Sequence, residues 1–150
     1  MLHLERAVAD GSDLTARREL MAAALNGALA SQKGLGGVHA MSHAVAALGL
    51  DHGCVNAVLL PLVLDFNAPA VAPRYDEIGR EFGLPDGADL THAIARLRER
   101  IGLPSTLGAM GFQARDVEGS AILAAADYCN RTNPRHAAVG DYRALLFAAL

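Results

Sequence analysis

Apolar residues in this chain recur at the three- and four-residue intervals of a helix, while the apolar–polar alternation of a half-buried strand is nearly absent. Such a chain is confined to an all-α architecture, a helical array with short connections punctuated by Gly and Pro. Its 150 residues suffice for one domain. At that size roughly 70% of the unfolded surface is buried.

Gly11-Ser12-Asp13 offers capping side chains for a first helix over residues 13–31. Its Leu14, Met21, Leu25 and Leu29 recur at helical spacing, with Arg17, Arg18 and Glu19 on the other side. Lys33-Gly34-Leu35-Gly36-Gly37 breaks it, and a second helix follows over 37–49. A third, over 52–67, is apolar almost all round, which predicts burial on every side. Pro61 frees the carbonyl of Ala57 and predicts a kink there. A short fourth helix is expected over 74–82. Leu90, Ile94, Leu97 and Ile101 make the stripe of a fifth, ended by Gly102 and Pro104. A sixth spans 114–129, and Asp141 caps a seventh that ends at Leu150.

Composition removes several classes of function. A formal charge of −3 with 19% charged residues gives no basic field for nucleic acid or anionic lipid, and no Trp is present to stack on bases. Met1-Leu2-His3-Leu4-Glu5-Arg6 has no basic stretch followed by an apolar core. The longest uncharged apolar run, 57–64, falls well short of the roughly 20 residues a membrane span needs. Cys54 and Cys129 are far apart in sequence, with no Cys-x-x-Cys spacing, and read as reduced thiols. The expectation is a soluble, cytoplasmic protein with neither nucleic acid nor membrane as partner. Its hydrophobic fraction of 52% and mean hydropathy of +0.22 are high for a small free-standing helical domain. The surplus is expected to lie against a partner such as a further domain.

Three of the six histidines fall within fourteen residues, at His39, His43 and His52. The four-residue interval sets His39 and His43 one turn apart on one helix face. Val38, Met41, Val45 and Leu48 form the core stripe, and Ala40, Ala46 and Ala47 neighbour the imidazoles on the other side. No charged residue lies between Lys33 and Asp51, so this face is not an ordinary solvated one. It is read as a cleft with room for a metal, a cofactor or a substrate, and His52 can turn back toward it from the next helix. Imidazole suits Zn, Fe, Ni or Cu. Cys54, two positions after His52, points elsewhere. Two ordinary histidines at this spacing remain the plainer alternative.

The stretch Gly34-Leu35-Gly36-Gly37-Val38-His39-Ala40-Met41-Ser42-His43, continued by Asp51-His52-Gly53-Cys54-Val55-Asn56-Ala57-Val58-Leu59-Leu60-Pro61, resembles the signature of iron-containing alcohol dehydrogenases. Asp10-Gly11-Ser12-Asp13-Leu14-Thr15-Ala16-Arg17 is similar to that family's upstream helix start. Gly102-Leu103-Pro104 and Asn133-Pro134-Arg135 resemble its downstream landmarks. The resemblance covers nearly the whole chain in order. It implies the family's C-terminal helical domain, 1–150, without the N-terminal nucleotide-binding domain and the first part of the helical domain.

By that resemblance the complete enzyme is a homo-oligomer that interconverts an alcohol with an aldehyde or ketone, using Fe(II) or Zn and NAD(H) or NADP(H). Its metal is held by one Asp and three His. The matching positions here are His39 and His52, while His43 matches a cleft histidine that serves the nicotinamide and the reacting oxygen. A divalent ion lowers the pKa of the alcohol oxygen, and His43 relays the hydroxyl proton or helps to orient the cofactor.

The sequence departs from the family pattern in places. The interval from His39 to His52 is one residue shorter than usual, Ala44 replaces a common proline, and Leu62 replaces a frequent histidine. The Asp-x-x-x-His pair that supplies the other ligands is not matched. Ala88-Asp89-Leu90-Thr91-His92-Ala93-Ile94 imitates that pair but is out of order and one residue short, and Asp89 and His92 read as a solvated face. Gly34-Leu35-Gly36 lacks a preceding strand and a third glycine, so it reads as a helix break and not a dinucleotide fingerprint. His3 and His136 show no chemical partner. Two other functions compete with a dehydrogenase part: a self-contained helical metal-binding or scaffold protein using His39, His43 and His52, and a packing module without chemistry.

Overall fold

The computed structural model of the protein describes residues 3–85 and 89–150. Met1 and Leu2 at the start, and Ala88 of the Asp89/His92 segment, lie outside the described residues. Among those described there are seven α-helices and no strand, and they gather into two compact units, one up to Gly34 and one from Leu35.

The first unit holds α1 (Leu4–Ala9), which the sequence reading did not separate, and α2 (Leu14–Ala30). Asp13 caps α2 as expected, Oδ1 accepting from the Ala16 N–H at 3.0 Å. The Arg6 guanidinium grips its Oδ2 at 2.6 and 3.1 Å. The Ala16 N–H first, and then Arg6, hold the Asp13 carboxyl below the usual carboxylate range. Only Ala16 of α2 is buried. Leu14, Met21, Leu25 and Leu29 are all exposed, Leu14 at 80%. Periodicity identified the helix but not what covers it.

In the second unit α3 (Gly37–Val45) and α4 (His52–Glu81) pack on each other. α5 (Leu90–Arg100) lies on α4, and α6 (Val117–Ala126) packs between α3 and α7 (Val139–Ala148). Met41 and Val45 of α3, Val55, Val58, Leu59 and Val63 of α4, and Val117, Ala121, Tyr142 and Leu146 of α6 and α7 form one apolar core. The Tyr142 hydroxyl donates to Asn130 Oδ1 at 2.8 Å inside it, and burial pushes that phenol up to about 12. Asn130 in turn donates to the carbonyls of Ala125 and Ala137, tying the 3-10 turn Tyr128–Thr132 to its neighbours.

Several local expectations need correction. α3 ends at Val45 and continues as a 3-10 turn, Ala46–Leu48, so Leu48 is exposed and leaves the core stripe. Ala40, expected beside the imidazoles, is fully buried in the core, while Ala46 and Ala47 are exposed. The third and fourth helices are one element. α4 runs through Pro61, Pro69 and Pro73, and its single non-helical residue is Val71 (φ −140°, ψ 17°), so the break lies ten residues beyond Pro61. Pro69 and Pro73 bracket it, each lacking the N–H that would continue the ladder. By length and composition alone α4 is long and apolar enough to cross a membrane, yet Val55, Val58, Leu59 and Val63 are core residues here. Every residue from 54 to 64 is buried or half-buried, as the all-round apolar pattern requires. Asp141 lies inside α7, its Oδ2 accepting from the Ala138 N–H at 2.9 Å, so the cap position is Ala138, three residues earlier than expected. The expected sixth helix divides into the 3-10 turn Ala114–Asp116, α6 and the turn Tyr128–Thr132.

Candidate metal centre

The site is built where α3 starts. Gly34 (φ 116°) and Gly36 (φ 125°) adopt backbone that L side chains resist, which ends the preceding turn and redirects the chain. Asn133 Oδ1 then accepts from the Gly37 N–H at 2.9 Å, supplying one of the donors that a helix start leaves unpaired. A Cβ built on Gly36 or Gly37 would stand 3.2 Å from that oxygen, so the paired glycines make room for the asparagine. Asn133 and Asn67 exchange two amide hydrogen bonds at 3.1 and 2.8 Å. Arg135 donates to the Phe66 carbonyl and lies over the Phe66 ring at 4.0 Å. The Gly36-Gly37 pair and the Asn-Pro-Arg turn are thus two halves of one clamp that sets the start of α3 against α4.

From that seat α3 carries His39 and His43 on one side. The short 3-10 turn, Gly49 in the left-handed region (φ 72°) and the Asp51 cap on the Cys54 N–H (2.8 Å) return the chain so that His52 opens α4. The three rings converge. Their centres are 5.4 Å apart for His39 and His52, 5.9 Å for His39 and His43, and 6.0 Å for His43 and His52. Ala44 and Leu62 pack half-buried on the core. Asp89 and His92 are exposed, and Asp89 serves as the α5 cap, accepting from the His92 N–H at 3.1 Å. His136 is exposed, and His3 belongs to the first unit.

Two hydrogen bonds orient the rings. Ser42, 2% exposed, sets its Oγ 2.8 Å from His52 Nδ1, leaving Nε2 of that ring for another partner. His43 Nδ1 lies 3.1 Å from Asp127 Oδ2. Burial, and then the neighbouring His52 and His43, push the His39 imidazolium below its ordinary range, so at neutral pH that ring is uncharged and keeps a lone pair. Burial works against ionisation of Asp127. The Cys129 N–H and thiol and the His43 ring outweigh it and hold the carboxyl below its usual range.

The three ring spacings are unequal. Two imidazoles bonded at about 2.1 Å to one tetrahedral or octahedral ion have ring centres roughly 4.5–5.3 Å apart. His39 and His52, at 5.4 Å, are within tenths of an ångström of that range, whereas both pairs involving His43 are wider. The pair offers two borderline-soft imidazoles, the kind of donor that suits a divalent first-row ion. His43, Asp127 and Cys129 also gather donor atoms within 4.8 Å of one another. They read better as a hydrogen-bonded network. Asp127 already accepts from the Cys129 N–H and faces the His43 ring, and Cys129 is 1% exposed with burial pushing its thiol up. Cys54 is half-buried and turned to its Asp51 cap, which with burial raises its pKa.

Ser42 and Asp127 lie in no spacing motif that marks them in the sequence, and Asn133 stands out there only as part of the Asn-Pro-Arg landmark. The one local sign of Asp127 is its place at the end of α6, where an Asx-type cap on the Cys129 N–H is expected.

The helical fold agrees with the comparisons. The family model for the C-terminal region of Fe-containing alcohol dehydrogenases matches residues 1–150. A 4-hydroxybutyrate dehydrogenase of Cupriavidus necator is 43% identical over 96% of this chain and 40% of its own length. An NAD-dependent methanol dehydrogenase of Bacillus methanolicus is 36% identical over 99% of this chain and 42% of its own. Among solved structures, a 1,3-propanediol oxidoreductase superposes with a TM-score of 0.94 at 33% identity, over 99% of this chain and 41% of that one. An alcohol dehydrogenase from Oenococcus oeni gives 0.92 at 29% identity, over 99% and 41%. The chain spans about 40% of the length of the relatives it matches. It belongs to the iron-containing alcohol dehydrogenase family and carries the C-terminal helical region of that family.

Proposed function

We propose that this chain provides the metal-holding and proton-handling half of an alcohol dehydrogenase that interconverts a small alcohol with an aldehyde or ketone, linked to NAD(H) or NADP(H). His39 and His52 hold a divalent ion, Fe(II) or Zn, and His43 stands beside it as the group that takes or returns the hydroxyl proton and meets the nicotinamide. The observation that carries this reading is the 5.4 Å approach of the His39 and His52 rings, with His43 set slightly further off and tied to Asp127.

When bound, the metal supplies Lewis acidity to the substrate oxygen, and the nicotinamide exchanges hydride with the substrate carbon. The chain's own residues do the rest. Ser42 fixes which His52 nitrogen is available, as the hydrogen-bond partner of a ligating imidazole does. Burial keeps His39 neutral and so able to bind. Two imidazoles leave a divalent ion short of ligands, so the reading requires an Asp-x-x-x-His pair and a nucleotide-binding domain from outside these residues, in the same polypeptide or in another subunit of a homo-oligomer. Two unpaired thiols accord with a reducing, cytoplasmic setting.

The test is a chimera in which this chain replaces the matching C-terminal region of the Cupriavidus necator relative. The expected result is NAD-linked alcohol oxidation by the chimera and none by the isolated chain. Robust turnover by the isolated chain, or a folded chimera without activity, contradicts the proposal. Tight one-to-one metal binding by the isolated chain, lost on His43→Ala, would instead favour the self-contained metal-binding protein.

A further inference from the structure

Asp127 stands at the junction of α6 and the Tyr128–Thr132 turn, 84 residues after His43. Its two oxygens have separate tasks. Oδ1 accepts from the Cys129 N–H at 2.8 Å, and Cys129 is 1% exposed, so the carboxylate is pinned to a rigid part of the core. That bond completes the local turn and needs nothing from Oδ2. Yet Oδ2 is directed at His43 Nδ1, 3.1 Å away, with the side chain only 16% exposed. An ionised carboxylate can only accept, so the ring nitrogen facing it must carry the hydrogen. A neutral imidazole has one N–H, and spending it at Nδ1 leaves Nε2 with the lone pair.

We infer that Asp127 is a positioning residue for His43: it fixes the orientation of the ring and its Nδ1–H tautomer, and so reserves Nε2 as the one atom of that ring able to take a proton. The tautomer assignment stands on this geometry alone. What Nε2 serves rests on the dehydrogenase reading. A purely structural cap would need one oxygen, would tolerate asparagine, and would leave the imidazole protons indifferent to residue 127. Asparagine separates the two roles, because its oxygen can keep the Cys129 cap while its NH2 group presents a donor to His43 Nδ1. That should drive the ring to the opposite tautomer.

The experiment is long-range 15N–1H correlation of the histidine rings in the 15N-labelled, metal-free 150-residue chain. It is run at about pH 8.5, roughly two units above the ordinary histidine value, where imidazoles are neutral. His43→Gln identifies the His43 signals by their loss. The expected pattern in the wild type is a protonated Nδ1 and an unprotonated Nε2 for His43, with the two 15N shifts exchanged in Asp127→Asn. A protonated Nε2 in the wild type overturns the inference, as does an unchanged pattern in a folded Asp127→Asn. If the variant does not fold, the wild-type spectrum decides alone. Neither result depends on metal retention by His39 and His52, so failure here and failure of the dehydrogenase reading are told apart.

Discussion

Ser42 Oγ lies 2.8 Å from Nδ1 of His52, across the return between α3 and α4. The serine is 2% exposed and fixed on the helix that also carries His39 and His43, so it holds the ring of the second helix in register with the other two. Hydrogen bonds of this kind hold a ligating imidazole in one orientation, and their removal typically lowers metal affinity about 10–100-fold. Ser42→Ala in the chimeric enzyme is expected to weaken metal binding within that range while leaving the fold intact. Competition with a chelator of known affinity measures it, with circular dichroism to follow the fold.

The glycine clamp makes a prediction about stability. In Gly37→Ala the new Cβ meets Asn133 Oδ1 at 3.2 Å and Val63 Cγ1 at 3.4 Å, both held in place by packing and hydrogen bonds. The expected loss is about 1–3 kcal/mol, as for overpacking elsewhere. Asn133→Ala, which strands the Gly37 N–H and the Asn67 amide, should destabilise by a similar amount. Gly53→Ala, near the start of α4 and only in ordinary contact with Asp51, should be neutral or stabilise by up to about 1 kcal/mol. Urea unfolding of the three variants checks the order.

Acid should loosen the start of α2. Asp13 has its folded-state pKa depressed, first by the Ala16 N–H and then by Arg6. A depressed carboxylate contributes stability that is present above its unfolded pKa, near 3.9, and is lost as pH falls through the folded value. Helicity followed from pH 5 to 2 should therefore show a loss below about pH 4. Asp13→Asn, which keeps an accepting oxygen but does not titrate, should reduce that loss. Identical acid profiles for the wild type and Asp13→Asn would contradict it.

What the sequence made legible follows from range. The helical periods, the Asp13 cap, the break at Gly34-Leu35-Gly36 and the shared face of His39 and His43 are all local, and all are present. The misplacements also have local causes. Pro69 and Pro73 signal a stop, yet each removes only one ladder bond, and the chain absorbs both with a single non-helical residue at Val71. Leu48 continues the α3 stripe by period, but the 3-10 turn rotates it out to solvent. The unseen part is long-range. Asp127 reaches His43 across 84 residues and Asn133 reaches Gly37 across 96, and no spacing rule connects them. The α2 stripe is the reverse case: Leu14, Met21, Leu25 and Leu29 are plain in the sequence, but their exposure is set by what lies against them.

The most direct test is metal content. The chimeric enzyme is purified as wild type and as His39→Ala, His52→Ala and His43→Ala, and bound iron and zinc are counted per chain by elemental analysis. The account predicts close to one ion in the wild type, loss of that ion in both His39→Ala and His52→Ala, and full occupancy with much reduced turnover in His43→Ala. Equal metal loss in all three variants, or full retention in His39→Ala and His52→Ala, would contradict it.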